Sequence, residues 1–228
     1  MGITQVAKAV SYKEKIYEEI KTAIINRVLK PGEQLNERIF ADKLGISRTP
    51  LREAFKRLET EGWVVTEAWK GTYVTEITAE DIEEVSQLRM TLEVMVIELI
   101  IQKITPGQLL KIKELHQNQA QLGDEFKAGD FIELDQNFHM YLAELTGNKR
   151  LIQILANLSD MMRRLGVTAI QTTERYRETL QEHAGIITAL EAKDLVKAKQ
   201  AVLFHVLNTQ KNIYKHWENR ELQTEIQS

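Results

Sequence analysis

Residues 36–58, NERIFADKLGISRTPLREAFKRL, read as two short helices joined by a tight turn. Asn36 has the short polar side chain of an N-cap, and Glu37–Leu44 follows as the first helix. Gly45 stands where a helix end takes a residue at positive φ. Ser47 can cap the second helix through the Thr49 N–H. Pro50 is tolerated in a first turn whose N–H groups have no intrahelical partner. Leu51, Ala54, Phe55 and Leu58 then recur at i, i+3, i+4, i+7, the spacing of one buried face. Arg48, Thr49 and Arg52 fall on the face left free. A helix that buries one side and presents two arginines from its first turns suits a DNA major groove, because an Arg fork can hold both acceptors of a guanine. An ordinary helical hairpin with a solvated basic face is the bland alternative. Turn, cap, apolar phase and arginine phase agree on the first reading.

Working outward, Ser11-Tyr-Lys-Glu14 is a capping box, and Ile16, Ile20, Ala23, Ile24 and Val28 give the helix after it one apolar stripe. Lys30-Pro31-Gly32 stops that helix. On the other side Glu61-Gly62 ends the arginine-bearing helix. Trp63–Thr66 and Thr72–Thr75 are rich in β-branched and aromatic residues and flank a turn at Glu67–Gly71. Three helices and a two-stranded hairpin make a winged helix-turn-helix with Trp69-Lys70-Gly71 at the wing tip. Lys70 there can meet a phosphate or the minor groove, or be a solvated loop lysine.

From Thr78 onward no strand is predicted. Thr78 can cap a helix over Ala79–Gln102 with Ile82, Val85, Leu88, Leu92, Met95, Val96 and Leu99 as its apolar stripe. Thr105-Pro-Gly-Gln108 is a second capping box, opening a helix to about Ala128. Asp130-Phe-Ile-Glu133 is a third, opening one to Thr146. Gly147-Asn148 breaks it, and a long helix runs on to about Gln171. Thr173 starts a helix to about Ala192, and after Lys193-Asp194 the last runs past Trp217 into a polar, fraying Glu218–Ser228. The chain is therefore mainly α: a winged helix-turn-helix over residues 1–77, then an all-α bundle of about six helices over 78–228.

Composition sets the bounds. The 228 residues suffice for one or two domains, and the absence of Cys excludes disulfides and thiolate metal sites and fits a cytoplasmic protein. No apolar run approaches the ~20 residues that cross a bilayer. MGITQVAKAVSYKEKI lacks the apolar core of a signal peptide, so no membrane partner is expected. The net charge of −3 hides a split: residues 1–77 carry 13 Lys/Arg against 11 Asp/Glu, the rest 17 against 22. Ser47–Arg57 alone holds Arg48, Arg52, Lys56 and Arg57 against Glu53, a local basic patch that suggests nucleic acid where the total charge does not. Lys56 and Arg57, further from the helix start, are expected on phosphates.

All five histidines lie in the second half. Asp135 and His139, spaced i, i+4, project from one helical face beside Phe131, Leu134, Phe138 and Leu142. His183 lies beside Ile186, Ile187 and Leu190, and His205 among Val202, Phe204, Val206 and Leu207. Three imidazoles and a carboxylate on three helices could converge on Zn²⁺, Ni²⁺, Mn²⁺ or Fe²⁺. Each could equally be a hydrogen-bonded core residue, and spacing leaves both readings open. His116 and His216 read as surface residues. Arg89 and Glu93, also i, i+4, either line a ligand pocket or form a plain intrahelical ion pair.

With these residues in hand, the chain resembles the GntR superfamily of bacterial transcription regulators, in its FadR-like branch. The resemblance rests on PGEQLNERIFADKLGISRTPLREAFKRLETEGWV and the wing KGTYV. It implies DNA contacts at Arg38, Arg48, Thr49 and Arg52, with Lys70 and Gly71 at the wing. The second half is similar to the FCD ligand domain, whose metal ligands match Asp135 in DQNFH, His139, His183 in EHAGII and His205 in VLFHV. The resemblance therefore implies the metal-binding subgroup, a homodimer on a short palindromic operator, and a small carboxylate effector. The expected function is a DNA-binding transcriptional regulator, a repressor and not an enzyme, controlled by an effector at or near a divalent metal. The alternative is a metallohydrolase with an accessory DNA-binding domain. Glu182 is its one candidate base, and adjacent helix positions ~100° apart turn Glu182 away from His183.

Overall fold

Leu51, Ala54, Phe55 and Leu58 are all buried, so the helical phase that sequence assigned to them is the phase the chain uses. The computed structural model describes residues 12–166, 170 and 172–227, with side chains described for 13–166, 170 and 172–219. The chain divides into two compact units, one up to Ile77 and one from Thr78.

In the first unit α1 (Tyr12–Ile25), α2 (Glu37–Leu44) and α3 (Arg48–Thr60) pack beside a three-stranded antiparallel sheet. The sheet is β1 (Gln34–Leu35), β2 (Val64–Glu67) and β3 (Gly71–Val74) in the order β1-β3-β2. Asn36 caps α2 as expected, its Oδ1 accepting from the Arg38 and Ile39 N–H at 2.9 and 3.2 Å. Gly45 adopts φ 65°, which turns the chain from α2 into α3. Two local expectations differ. Ser47 occupies the N-cap of α3 with extended backbone but makes no side-chain cap bond. α1 ends at Ile25 and Arg27 takes φ 57°, which shifts the phase: Val28 is exposed and Leu29 is buried in its place. The capping box at Ser11 lies outside the described residues. Strand β1 was not predicted, because two residues are too short for a periodicity; it exists because Gln34 and Leu35 pair with Tyr73 and Thr72.

The second unit has six helices among its described residues: α4 (Ala79–Ile100), α5 (Pro106–Ala120), α6 (Ala128–Glu144), α7 (Lys149–Gly166), α8 (Thr173–Glu191) and α9 (Leu195–Gln227). α9 packs along α4 and α8, and α6 lies between α5 and α7. Thr105 forms the capping box read from sequence, with Pro106 in the first turn, and Thr78, read as a cap, forms a full box with Asp81. The third box does not form: α6 begins three residues earlier, with Lys127 at the N-cap position and no side-chain cap bond, so Asp130 sits inside its first turn. α5 stops at Ala120, short of Ala128, and α9 continues to Gln227 through the polar stretch expected to fray. The predicted end of α7 at Gln171 lies outside the described residues.

The stripe assigned to α4 also needs correction. Leu88 and Met95 are 52% and 40% exposed, whereas Arg89 and Glu93 are buried with Ile82, Val85, Val96, Ile97 and Ile100. A buried charged pair requires partners inside the bundle, and these partners form the site described next. No helix among the described residues is long and apolar enough to cross a membrane.

Candidate functional site

Arg48, Thr49 and Arg52 are exposed on α3, opposite its buried face. Arg52 is held in place: its Nε donates to the Glu37 carboxylate at 2.8 and 3.1 Å. That pair uses the inner nitrogen and leaves the terminal amino groups of the fork outside it. Arg38 is exposed at the start of α2. At the wing, Gly71 has φ 119°, and a Cβ there would come within 3.0 Å of Gln34 Nε2. Lys70 is exposed and pairs with Glu67 at 2.8 Å. Arg57 differs from expectation. Its guanidinium lies 3.6 Å from the centre of the Tyr17 ring and bonds Glu14 at 2.8 Å and Glu61 at 3.1 Å, so it ties α3 to α1.

In the second unit Asp135, His139, His183 and His205 come together, their ligand atoms all within 4.8 Å of one another. Sequence could place each on an apolar face; packing of α6, α8 and α9 makes them one cluster. Each imidazole is oriented from behind through Nδ1. His139 Nδ1 donates to Glu93 Oε2 at 3.0 Å. His205 Nδ1 donates to Glu182 Oε2 at 2.8 Å. His183 Nδ1 donates to Gln119 Oε1 at 2.9 Å, and the Gln119 amide is itself fixed by donating to Leu134 O at 3.2 Å. Phe138 stacks on the His183 ring, centroids 4.4 Å apart. With Nδ1 carrying the proton, the lone pair of each ring is on Nε2, and the three Nε2 atoms face inward. Outer partners that fix tautomer and ring plane in this way are the usual support of a histidine metal site.

Arg89 projects from α4 into this cluster. Its Nε bonds Glu93, and one terminal amino group donates to Nε2 of both His139 and His205 at 3.0 Å each. The residue thus does both things the sequence allowed, forming the intrahelical pair and lining the pocket. Burial pushes His183 and His205 well below the usual imidazole range, helped by neighbouring imidazoles for the first and by Arg89 for the second. Burial likewise pushes the Asp135 carboxyl up. Burial alone would raise Glu93, but the Arg89 guanidinium and His139 outweigh it and hold that carboxylate down.

Whether the residues fit a metal is decided by two atoms. Asp135 Oδ1 and His183 Nε2 are buried, 3.4 Å apart, and neither has a hydrogen-bond partner among the described residues. With Asp135 ionised and the His183 proton on Nδ1, an oxygen lone pair faces a nitrogen lone pair, and no hydrogen bond joins them. A cation satisfies both. The donor set, three imidazoles and one carboxylate, is that of a borderline divalent ion.

Glu182 corrects the sequence reading. It does not turn away: it is buried, and four donors saturate its oxygens. Arg175 gives two at 2.7 and 3.0 Å, Asn208 one at 2.8 Å and His205 one at 2.8 Å. A carboxylate so occupied has no lone pair left for a proton, and the hydrolase reading loses its base. His116 is also not a plain surface residue, since Nε2 bonds Leu180 O at 2.9 Å.

Beside the cluster lies a cavity of about 70 Å³. Arg89, Asp135 and His139 form its polar end, and Val96, Leu142, Leu155 and Leu158 its apolar wall.

Two family models match this chain. Residues 12–74 match bacterial regulatory proteins of the gntR family, and residues 84–208 match the FCD domain. The HTH-type transcriptional regulator YdhC of Bacillus subtilis is 30% identical over 87% of this chain and 89% of its own. This chain belongs to the gntR family. The transcriptional repressor RspR of Escherichia coli is 26% identical over 89% of both chains. E. coli McbR/YncC has the same fold, with a TM-score of 0.76 at 22% identity over 92% of this chain and 100% of that one. The protein is thus a GntR-family transcriptional regulator with a FadR-like architecture, a helix-turn-helix unit followed by an FCD ligand-binding domain. Regulators of this family bind operator DNA and are typically dimeric.

Gln119 and Arg175 were not read as site residues, Glu93 was read only with Arg89 as a pocket residue or a plain ion pair, and Glu182 only as the candidate base of the hydrolase alternative. Glu, Gln and Arg on helices are ordinarily solvent-facing, and a one-turn spacing such as Arg89–Glu93 is common on any helix surface. The only available signal was that Arg89 and Glu93 sit in phase with Ile82, Val85 and Val96.

Proposed function

We propose that this regulator is a homodimer whose hold on a palindromic operator is controlled by a small carboxylate bound beside a divalent metal, and that like RspR it represses. Arg48, Thr49 and Arg52 would read the major groove, with Arg38, Lys70 and the Gly71 backbone at flanking positions. Their exposure on the face opposite the core of α3 supports this. Asp135, His139, His183 and His205 would hold the ion, whether Zn²⁺, Ni²⁺, Mn²⁺ or Fe²⁺. The convergence of those four residues around the orphaned Asp135 Oδ1 and His183 Nε2 carries this reading. When bound, the ion supplies positive charge at the polar end of the cavity and lowers the energy of an anion there. It would draw on the lone pairs that Arg89 now contacts, so guanidinium and ion compete for His139 and His205.

Charge supports the carboxylate. The charged side chains that line the cavity are Arg89 against Glu93 and Asp135, one positive and two negative, a net of one negative. Such a site repels an anion. A divalent ion turns the sum to one positive, and an anion becomes welcome. Effector binding should therefore require metal, and the aliphatic wall favours a ligand with an apolar body behind its carboxylate. The protein would act in the cytoplasm, where its operator is.

The test uses the full chain. Metal content after purification, and calorimetric titration of Zn²⁺, Ni²⁺ and Mn²⁺ into chelator-stripped protein, should give one site per chain in wild type and none in His205→Ala. Operator binding across a titration of short carboxylates should respond in the loaded wild type only. A His205→Ala protein that binds no metal yet keeps the full effector response would overturn the coupling.

A further inference from the structure

The wing carries a tryptophan that its own unit does not use. β2 and β3 close at the pair Glu67↔Gly71, leaving Ala68-Trp69-Lys70 as the loop. The Lys70 N–H donates to Glu67 O at 3.1 Å, so Glu67–Lys70 is a turn with Trp69 in its third place. Trp69 has φ 68°. A positive φ at that place is ordinarily given to Gly or Asn, because a Cβ there crowds the following carbonyl. The indole is fully exposed, at 103% of its reference area, whereas Trp63 four residues before the turn is 3% exposed. The loop itself is pinned: Gln34 Nε2 and the Tyr73 hydroxyl both donate to Lys70 O, at 2.7 and 3.2 Å. A disfavoured backbone that presents a large apolar side chain to water, on a loop the sheet holds still, gains nothing within the unit. Stored strain of this kind marks a contact made with something else.

The same unit indicates the partner. It also exposes the Arg48-Thr49-x-x-Arg52 face, and the neighbour of Trp69 is a lysine. An ammonium beside a flat ring suits nucleic acid, which offers a phosphate to the first and sugar walls or a base step to the second. We propose that Trp69 is a DNA contact of the wing, its indole lying in the minor groove beside the phosphate that Lys70 meets. This rests on the family's DNA binding and not on the metal or the effector. The groove's width follows its sequence, so Trp69 would set a preference at operator positions that α3 does not reach.

An apolar contact releases no counterions, which separates Trp69 from its neighbour. The probe is a fluorescein-labelled duplex selected by the full chain from a random pool, with affinity measured at several salt concentrations. Trp69→Ala should weaken binding at least tenfold with the salt slope unchanged, and Trp69→Phe should keep most of the affinity. Lys70→Ala should reduce the slope by about one. Trp69→Gly decides between folding and binding. Glycine suits φ 68°, so this variant should melt no lower than wild type while binding as poorly as Trp69→Ala. The emission assigned to Trp69, taken as the difference between wild type and Trp69→Phe, should become shielded from acrylamide when duplex is added. Wild-type affinity in Trp69→Ala, a lower melting temperature in Trp69→Gly, or unchanged acrylamide access would each overturn the proposal. In the first case, with the Arg52→Ala defect intact, the DNA reading stands without Trp69.

Discussion

At the scale of single residues, the buried histidines make a prediction with a definite sign. His183 and His205 have their folded pKa below the ordinary 6.5, because burial disfavours the imidazolium. Between that folded value and 6.5 the unfolded chain binds more protons than the folded one, so stability rises with pH across the window. The contribution is whole above 6.5 and is lost as pH falls. Asp135, raised by burial, works with the opposite sign. Metal-stripped protein should therefore melt at lower temperature at pH 5.5 than at pH 7.5. His205→Asn should flatten that dependence, and a pH-independent melting temperature would contradict it. Glu37 makes a second prediction. It holds Arg52 through Nε, and with α3 in the proposed groove its acid would lie near DNA phosphates. Glu37→Ala should raise affinity for random duplex and lower discrimination at the base Arg52 reads. Arg52→Ala should cost ~1–3 kcal/mol at one base position. Competition binding against single-base operator variants measures both.

At the scale of elements, the α2–turn–α3 pair depends on two short-range devices. Asn36 satisfies two N–H groups at the start of α2, so Asn36→Ala should destabilise the unit by about 0.5–2 kcal/mol in thermal melts. Gly45→Ala meets no steric neighbour but must still hold φ 65°, which should cost ~1–2 kcal/mol and move the start of α3. Operator affinity should then fall further than stability alone explains. α4 shows the limit of periodicity. Its helix and its cap at Thr78 were legible, but its inward face was not read correctly, because Arg89 and Glu93 occupy positions a hydrophobic count assigns to solvent.

At the scale of the molecule, charge is the governing quantity. With two carboxylates against one guanidinium in its lining, the cavity should refuse a carboxylate until a divalent ion is present. Titration of a short aliphatic carboxylate into loaded and chelated protein should give binding only in the first. Equal binding in both would remove the metal from the effector pocket. Loaded protein should also melt higher, since an ion bound only to the native state stabilises it. Paired half-sites need paired recognition helices, so the full chain should sediment as a dimer.

The sequence by itself determined what is local. The caps at Asn36, Thr78 and Thr105, the glycine turn at Gly45, the apolar phase of α3 and the hairpin each depend on residues a few positions apart. It also named the four clustered donors, Asp135 and His139 by their i, i+4 spacing, His183 and His205 by their apolar neighbours, and all four by resemblance. Only the tertiary structure decided which polar groups accompany them. Glu93, Gln119 and Glu182 come from α4, α5 and α8, and their bonds to His139, His183 and His205 span 46, 64 and 23 positions of chain. A helix specifies its own inward face. It carries no information on which donor of another helix will stand opposite, and that is set by how the bundle packs.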